Sequence, residues 1–126
     1  MRVLAKHMEN RFIQSMVEHL RTDFAAQIST LGLTAESLRH LVCDHINTAR
    51  KHGIRNRGDL TTYIECIAYL GPQFDIDGKH PFVQATLLRG DLVGDEKMDR
   101  ISEYLIFAVE EHEDSDLDEP VSYRYG

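Results

Sequence analysis

Apolar residues recur at steps of three and four in separate stretches along this chain, and this spacing constrains its fold more than any other feature. It places apolar side chains on one face of an α-helix, whereas a half-buried β-strand would alternate apolar and polar residues. No alternating stretch lasts more than a few residues. The sequence therefore predicts an all-α fold, a compact bundle of about five helices with an acidic C-terminal tail.

Glycine, proline and polar capping residues mark where the five predicted helices begin and end. We expect helices over residues 6–29, 34–52, 59–70, 81–89 and 95–113. Thr34 and Asp59 are suited to cap the amino-terminal ends of two helices, and Pro81 suits the first position of another. Gly32 and Gly53 follow predicted helices because glycine readily adopts the left-handed conformation that ends a helix.

The last predicted helix is apolar over a wide part of its circumference. Its main stripe and flanks contain Met98, Ile101, Tyr104, Leu105, Ile106, Phe107 and Val109. Such a helix is either central to the core or partly covered by another chain. Beyond it the chain turns acidic, so we expect a single helical domain over residues 1–113 and an acidic, flexible tail over residues 114–126.

Charge is distributed unevenly between the two halves of the chain. Residues 1–57 contain nine Lys and Arg against five Asp and Glu, a net +4, and residues 58–126 contain five against sixteen, a net −11, so the total is −7. An acidic protein without a basic stripe repels a phosphate backbone, so we expect no nucleic-acid partner. We also expect no membrane association, since no stretch approaches roughly 18 apolar residues. No signal peptide is evident, which predicts a cytoplasmic location.

The motif Asp75-Ile76-Asp77-Gly78 is similar to the opening of a calcium-binding loop, but its glycine comes too early and no glutamate follows at the required offset. We interpret it as a turn in which an aspartate accepts hydrogen bonds from backbone amides and the glycine supplies a positive φ. A metal-dependent hydrolase using Asp75, Asp77 and His80 would need more converging ligands. We therefore expect no metal and no cofactor.

Histidine and cysteine residues do not form a catalytic group in the sequence. His40 and Asp44 could share a helix face, but zinc would need a third ligand. Cys43 lies near His40 without a third group to orient the pair, and both Cys43 and Cys66 are expected to be reduced and buried. His45 lies on an apolar stripe, where we expect a hydrogen-bonded core residue. The chain is therefore predicted not to be an enzyme.

Four motifs in the middle of the chain resemble those of a known family. They are His45-Ile46-Asn47-Thr48-Ala49-Arg50-Lys51-His52-Gly53-Ile54, Leu60-Thr61-Thr62-Tyr63-Ile64, Tyr69-Leu70-Gly71-Pro72-Gln73-Phe74-Asp75-Ile76-Asp77 and Pro81-Phe82. They are similar to motifs of small helical proteins encoded in bacterial type VI secretion clusters, beside spike, adaptor-chaperone and toxic effector genes. The similarity covers roughly residues 45–107. Phe82 departs from the family pattern, which has tryptophan there, and the acidic tail lies outside it.

The resemblance implies a non-enzymatic adaptor or co-chaperone that helps an adaptor-chaperone load an effector onto the secretion spike. No catalytic residues come with it. The alternative is an immunity protein that neutralises a cognate toxin, because an acidic surface suits a basic toxin. The expected partner is a protein, either the effector or its adaptor-chaperone, and a homodimer through the last helix is left open.

The candidate partner-binding residues lie in the last helix and in or beside the loop over residues 73–80, which we call the Asp-Gly loop. They are Phe74, Asp75, Asp77, Phe82, Tyr104, Phe107, Glu110 and Glu111. Phe74 and Phe82 flank the loop and are predicted to pin it to the core, which makes the loop either a recognition edge or a corner of the scaffold. The acidic run is typical of a solvating tail, but aromatic residues close to it also favour an interface.

Overall fold

A computed structural model describes the backbone of residues 2–117 and the side chains of residues 9–108. The described backbone forms six α-helices and contains no β-strand, which confirms the all-α prediction. The helices are α1 (Arg2–Asp23), α2 (Ala25–Leu31), α3 (Ala35–Lys51), α4 (Arg57–Leu70), α5 (Pro81–Leu87) and α6 (Gly94–Leu117). The last helix extends beyond its predicted end at residue 113, and residues 118–126 of the predicted acidic tail lie outside the described residues.

The core lies between α1, α3 and α4, and α6 extends it. The helix α1 packs on α3 and α4, the short α2 packs on α1 and α4, and α6 packs on α4 and α5. Fully buried aliphatic residues come from the three central helices, from α5 and from α6, and include Leu20, Leu38, Val42, Ile46, Ile64, Ile67, Val83 and Ile101. Their burial matches the apolar stripes in the sequence, because each helix turns its stripe toward its neighbours.

One predicted helix is two helices in the structure, separated at Phe24. Phe24 has φ −125° and ψ 35°, which is not helical, although its amide still donates to the carbonyl of Leu20. Its ring packs edge-on against Tyr69 of α4, with 5.2 Å between ring centroids. The apolar spacing of Leu20, Phe24 and Ile28 continues across the break, which is why the sequence predicts a single helix here.

The amino-terminal end of α4 lies two residues before the predicted start. Asn56 is the capping residue, and its Oδ1 accepts a hydrogen bond from the backbone amide of Asp59 at 2.8 Å. The prediction that Asp59 caps this helix is therefore wrong. Asp59 instead lies in the first turn, where its carboxylate accepts a hydrogen bond from Asn56 Nδ2 at 2.7 Å. The predicted cap at Thr34 and first helical residue at Pro81 are both confirmed.

The beginning of α6 is fixed against the connection between α3 and α4. Gly94 lies so close to Gly53 that a Cβ atom on Gly94 would lie 2.1 Å from the carbonyl oxygen of Gly53. Three residues later, the buried Lys97 donates to the carbonyls of His52 and Leu87, at 3.1 and 2.7 Å. These carbonyls lie at the carboxyl ends of α3 and α5, where a positive charge is favoured by the helix dipole. Lys97 therefore joins three helices at one point.

Candidate protein-binding surface

The Asp-Gly loop between α4 and α5 contains the turn that the sequence predicts. The Asp77 Oδ1 atom accepts a hydrogen bond from the amide of Lys79 at 2.9 Å, and Gly78 has φ +79°. This is the local geometry of an aspartate turn. No group of three metal-ligating side chains occurs among the described residues.

Phe74 fixes this loop to the core through a cluster of rings. It is 1% exposed, stacks on His45 with 4.8 Å between ring centroids, and contacts Tyr63 edge-on. The His45 Nε2 atom donates a hydrogen bond to the carbonyl of Pro72 at 2.7 Å, so His45 ties α3 to the start of the loop. Two predictions are thereby confirmed, namely that Phe74 pins the loop and that His45 is a hydrogen-bonded core residue.

Asp75 follows Phe74 into the interior. It is 8% exposed, and the hydroxyl of Tyr63 donates to its Oδ2 over 3.5 Å, a long hydrogen bond. Burial raises the pKa of Tyr63, and the nearby Asp75 charge adds to the increase, so the hydroxyl remains a donor. Phe74 and Asp75 are therefore parts of the interior that support the loop, and a partner docking on the outer surface would meet Asp77 rather than these two side chains.

Phe82 lies at the surface, so the prediction that it pins the loop to the core is wrong. Its ring is 44% exposed and stacks on Tyr104 of α6, with 5.4 Å between centroids and 24° between ring planes. The Tyr104 hydroxyl is hydrogen-bonded to Nδ1 of His80 at 2.9 Å. The end of the loop, the start of α5 and the middle of α6 thus meet at this ring pair.

Phe107 extends the ring pair along α6. It lies three residues after Tyr104, a spacing that makes two side chains neighbours on a helix, and it is 62% exposed. Ile106 is 60% exposed on the adjoining side of the helix. We call Phe82, Tyr104 and Phe107 the aromatic surface. The side chains of Glu110 and Glu111 lie outside those that the structure describes.

The predicted burial of α6 is only partly correct. Its first three turns bury Met98 and Ile101 completely, as a core helix does, but Ile106 and Phe107 are left uncovered. Burial in the core therefore explains the wide apolar circumference of α6 only up to Leu105.

The two cysteine side chains are withdrawn from solvent to different degrees. Burial raises the pKa of the Cys66 thiol, with a smaller contribution from the charge of Glu65, so the reactive thiolate is disfavoured. Cys43 is half-buried and Cys66 buried, and neither forms a disulfide. His40 and Asp44 are both exposed on α3.

Sequence reasoning missed two polar contacts that hold the helices together. The ring nitrogens of His19 contact Asp23 on α1 at 2.9 Å and Glu65 on α4 at 2.6 Å. The first pair has helical spacing and is detectable in the sequence, but Glu65 is 46 residues away and has no local signal. Lys97 was missed for a different reason, since a lysine in a segment rich in charged residues is expected to lie in solvent.

Comparison with known proteins gives no match to a family model, a curated protein or a solved structure. None of the helices in the described part of the chain combines the length and the apolar character needed to span a membrane. The surface chemistry of the fold is therefore the main guide to function.

Proposed function

We propose that this protein is a non-enzymatic adaptor that binds another protein through the aromatic surface. The observation that carries the proposal is the exposure of Phe107 and Phe82, at 62% and 44%, around the half-buried Tyr104. Aromatic side chains are enriched in the centres of protein interfaces, where they contribute much of the binding energy. Packing of the core does not require these rings to be exposed to solvent.

The rings are also held in place before any partner arrives. Phe82 and Tyr104 stack on each other, and the hydrogen bond from Tyr104 to His80 ties the pair to the loop. A side chain that is already ordered loses less conformational entropy on binding. This arrangement favours a specific docking surface over a merely apolar one.

A more specific proposal concerns the identity of the partner. We propose a type VI secretion effector, or the adaptor-chaperone that loads it onto the spike, and this step is supported by the resemblance of residues 45–107. The Asp-Gly loop in that region lies beside the aromatic surface, because His80 at its end bonds to Tyr104. The acidic side chains of the loop and of α6 would then set the orientation of a partner with a basic surface.

The test is co-purification of the tagged chain with the effector and adaptor-chaperone encoded beside its gene. We expect Phe107→Ser to reduce retention of the partner at least tenfold, because it removes an exposed aromatic anchor. Val93→Ser is the matched control, since Val93 is similarly exposed, at 64%, but precedes α6. Equal retention by both variants, or retention of neither neighbour by the natural chain, would contradict the proposal.

An immunity protein is a second candidate, and one observation favours it. The outer side of the first turns of α6 exposes Asp95, Glu96, Asp99 and Glu103, with Arg100 among them. Such a surface is complementary to a basic toxin and would speed association. Expression of the neighbouring toxin with and without this chain separates the two functions. Restored growth supports immunity, whereas lost delivery of a toxin that remains active supports the adaptor.

A further inference from the structure

One side of α6 stays in solvent from its first turn to Phe107. It consists of exposed residues at helical spacings, namely Asp95, Glu96, Asp99, Arg100, Glu103, Ile106 and Phe107. We call this set the outer face of α6. At 100° per residue its members fall within about 140° of the helix circumference, and at 1.5 Å per residue the face is about 18 Å long. It is therefore a continuous surface, long enough to lie along about three turns of another helix.

The chemistry of the outer face changes along its length. Its first part contains four carboxylates and one cation, a net −3, and the buried Lys97 points away from it to the ends of α3 and α5. Its last part is apolar, because Ile106 and Phe107 are 60% and 62% exposed. A ligand that covers the whole face must therefore be apolar at one end and basic at the other.

The acidic part of the outer face is shaped to receive long side chains. Asp95 and Glu96 accept hydrogen bonds within the protein. Asp99 and Glu103 lie one turn apart and line a shallow depression of about 340 Å³ on the surface of the helix. An arginine or lysine side chain lying there would be attracted by both carboxylates.

The charge on both sides of Ile106 and Phe107 disfavours a second copy of the chain as the occupant. Residues 95–119 contain eleven Asp and Glu against two Lys and Arg. Two such segments side by side would bring like charges together in a parallel or an antiparallel pair, which opposes association. An anionic lipid surface or a phosphate backbone would be repelled for the same reason. The charge therefore favours a basic polypeptide.

A helix is the element of a polypeptide that matches the spacing of the outer face. Amphipathic helices bind through anchors three, four and seven residues apart, and paired helices bring such rows of side chains together. An apolar residue packed on Ile106 and Phe107 would place the next one or two turns of its helix beside Glu103 and Asp99. Basic residues in those turns would form ion pairs that fix the register of the two helices.

We propose that the outer face of α6 binds an amphipathic helix of the partner, with apolar residues on Ile106 and Phe107 and lysine or arginine residues beside Asp99 and Glu103. Apolar contacts supply most of the affinity, and the charge pairs determine which way the helix lies. Phe107 also belongs to the aromatic surface, so the helix lies next to Tyr104 and its stacked neighbour. The inference rests on the proposed protein-binding function and specifies the structure and charge of the segment that docks.

The first test is calorimetric titration of the full chain with a capped, helix-forming peptide of about five turns. One face of the peptide has leucines in its first turns and arginines in its last turns, where they also stabilise the helix. We expect a dissociation constant of about 10–100 µM at low salt, as suits a small interface. Asp99→Asn/Glu103→Gln should weaken binding about fivefold, since two exposed charge pairs are lost. Roughly 0.5 M salt should abolish most of this difference.

The matched control is Glu36→Gln/Asp44→Asn, which makes the same change in net charge at two exposed positions of α3. It should bind the peptide as the natural chain does. Circular dichroism confirms that both double variants are folded. Equal binding by the two double variants would show that the peptide responds only to the net charge of the chain, and this result overturns the proposal, as does absence of binding to the natural chain.

Two altered peptides test whether the docking segment is a helix with one basic and apolar face. The first has the same composition with its arginines moved to the opposite face, and the second has a proline in its middle, which breaks the helix. Each should bind at least tenfold more weakly than the original peptide. If either binds equally well, the helical pairing is wrong.

The outcomes for this inference and for the proposed function can be told apart. If the neighbouring effector or adaptor-chaperone is retained through Phe107 but Asp99→Asn/Glu103→Gln retains it fully and the peptide does not bind, only the helix-binding assignment fails. If neither neighbour is retained while the peptide binds with the expected dependence on Asp99 and Glu103, the outer face binds helices and the proposed partner is wrong.

Discussion

From Gly94 to Leu105, α6 is fixed to the bundle by packing and hydrogen bonds, whereas Ile106 and Phe107 of the same helix project into solvent. In the first part, Gly94 contacts the backbone of Gly53 and Lys97 bonds to the ends of α3 and α5. In the second part, the two apolar side chains are 60% and 62% exposed.

In the proposed function, one helix supplies both an anchor and a docking surface. A rigid first part limits the positions that Ile106 and Phe107 can take, so the proposed partner would meet an ordered surface. Anchoring and recognition use different residues of the helix, and substitutions should therefore separate loss of stability from loss of binding.

The largest expected effect is that of Gly94→Ala. Its Cβ would overlap the backbone of Gly53, which cannot move as a side chain can, so we expect a loss of about 3 kcal/mol in the free energy of unfolding. Gly58→Ala is the control in the first turn of α4, where an added Cβ would lie 3.5 Å from its nearest neighbouring atom. Urea denaturation should show the control to be at least as stable as the natural chain. Equal stability of the two variants would remove Gly94 as an anchor.

The next largest expected effect is a difference in stability between substitutions at two nearby positions of α6. Leu105→Ala removes a side chain that is 7% exposed and should cost about 2.5 kcal/mol, whereas Phe107→Ala should change stability by less than about 0.5 kcal/mol. Thermal denaturation followed by circular dichroism measures both. A large loss of stability in Phe107→Ala would show that the ring belongs to the core and would end the division between the two halves.

Lys97→Met should destabilise the protein by about 2 kcal/mol. The methionine keeps much of the volume but leaves two helix-terminal carbonyls without their charged donor. Lys79→Met in the exposed loop is the control, and chemical denaturation should place it within about 0.5 kcal/mol of the natural chain. If Lys97→Met is as stable as the control, the ammonium group does not join the helices.

The same variant should change the titration of His52. Because burial and the charge of Lys97 lower the pKa of His52, removal of the charge should raise that pKa toward 6.5, while burial keeps it lowered. In the natural chain, a folded-state pKa below the unfolded value means that the unfolded state binds more protons, so this residue reduces stability as the pH falls below about 6.5. NMR titration of the His52 ring in both proteins measures the shift, and an unchanged pKa would contradict the proximity of the two groups.

The smallest expected effect is that of Asp59→Asn in the first turn of α4, where the residue lies close to Asp95 of α6. Burial and the neighbouring Asp95 raise the pKa of Asp59, so the ionised carboxylate destabilises the fold at neutral pH and ceases to do so as the pH falls through the raised value. We expect a gain of about 0.3 kcal/mol, or about 1 °C in Tm. The exposed Asp44→Asn is the control and should leave Tm unchanged. A lower Tm for Asp59→Asn would contradict the repulsion.

The sequence predicted those parts of the fold whose signals are local. Apolar spacing located the helices, and Thr34 and Pro81 were placed correctly because a cap or a first-turn proline depends on adjacent residues. The break at Phe24 could not be predicted, since it coincides with a contact to Tyr69, 45 positions away in the sequence. The cap of α4 was predicted at the wrong residue because both Asn56 and Asp59 have side chains that can cap a helix. In the structure Asn56 is the cap.

The candidate site was predicted only in part, because the sequence does not show which side of a segment faces the core. The sequence directs attention to aromatic residues in and beside the loop and in α6, but periodicity does not distinguish a buried Phe74 from an exposed Phe82. The stacking of Phe82 on Tyr104 had no signal in the sequence, because the two rings come from α5 and α6. Sites that combine residues from distant segments can be recognised only from the three-dimensional arrangement of those segments.

The hydrogen bonds of Lys97 limit where the chain can be cut into separately folding fragments. A fragment ending before residue 94 would expose the carboxyl ends of α3 and α5 to water and lose the cover that α6 gives to α4 and α5. The first five helices are thus not an autonomous unit. Supplied as two separate polypeptides, the pieces on either side of residue 93 should reconstitute the native form only when mixed.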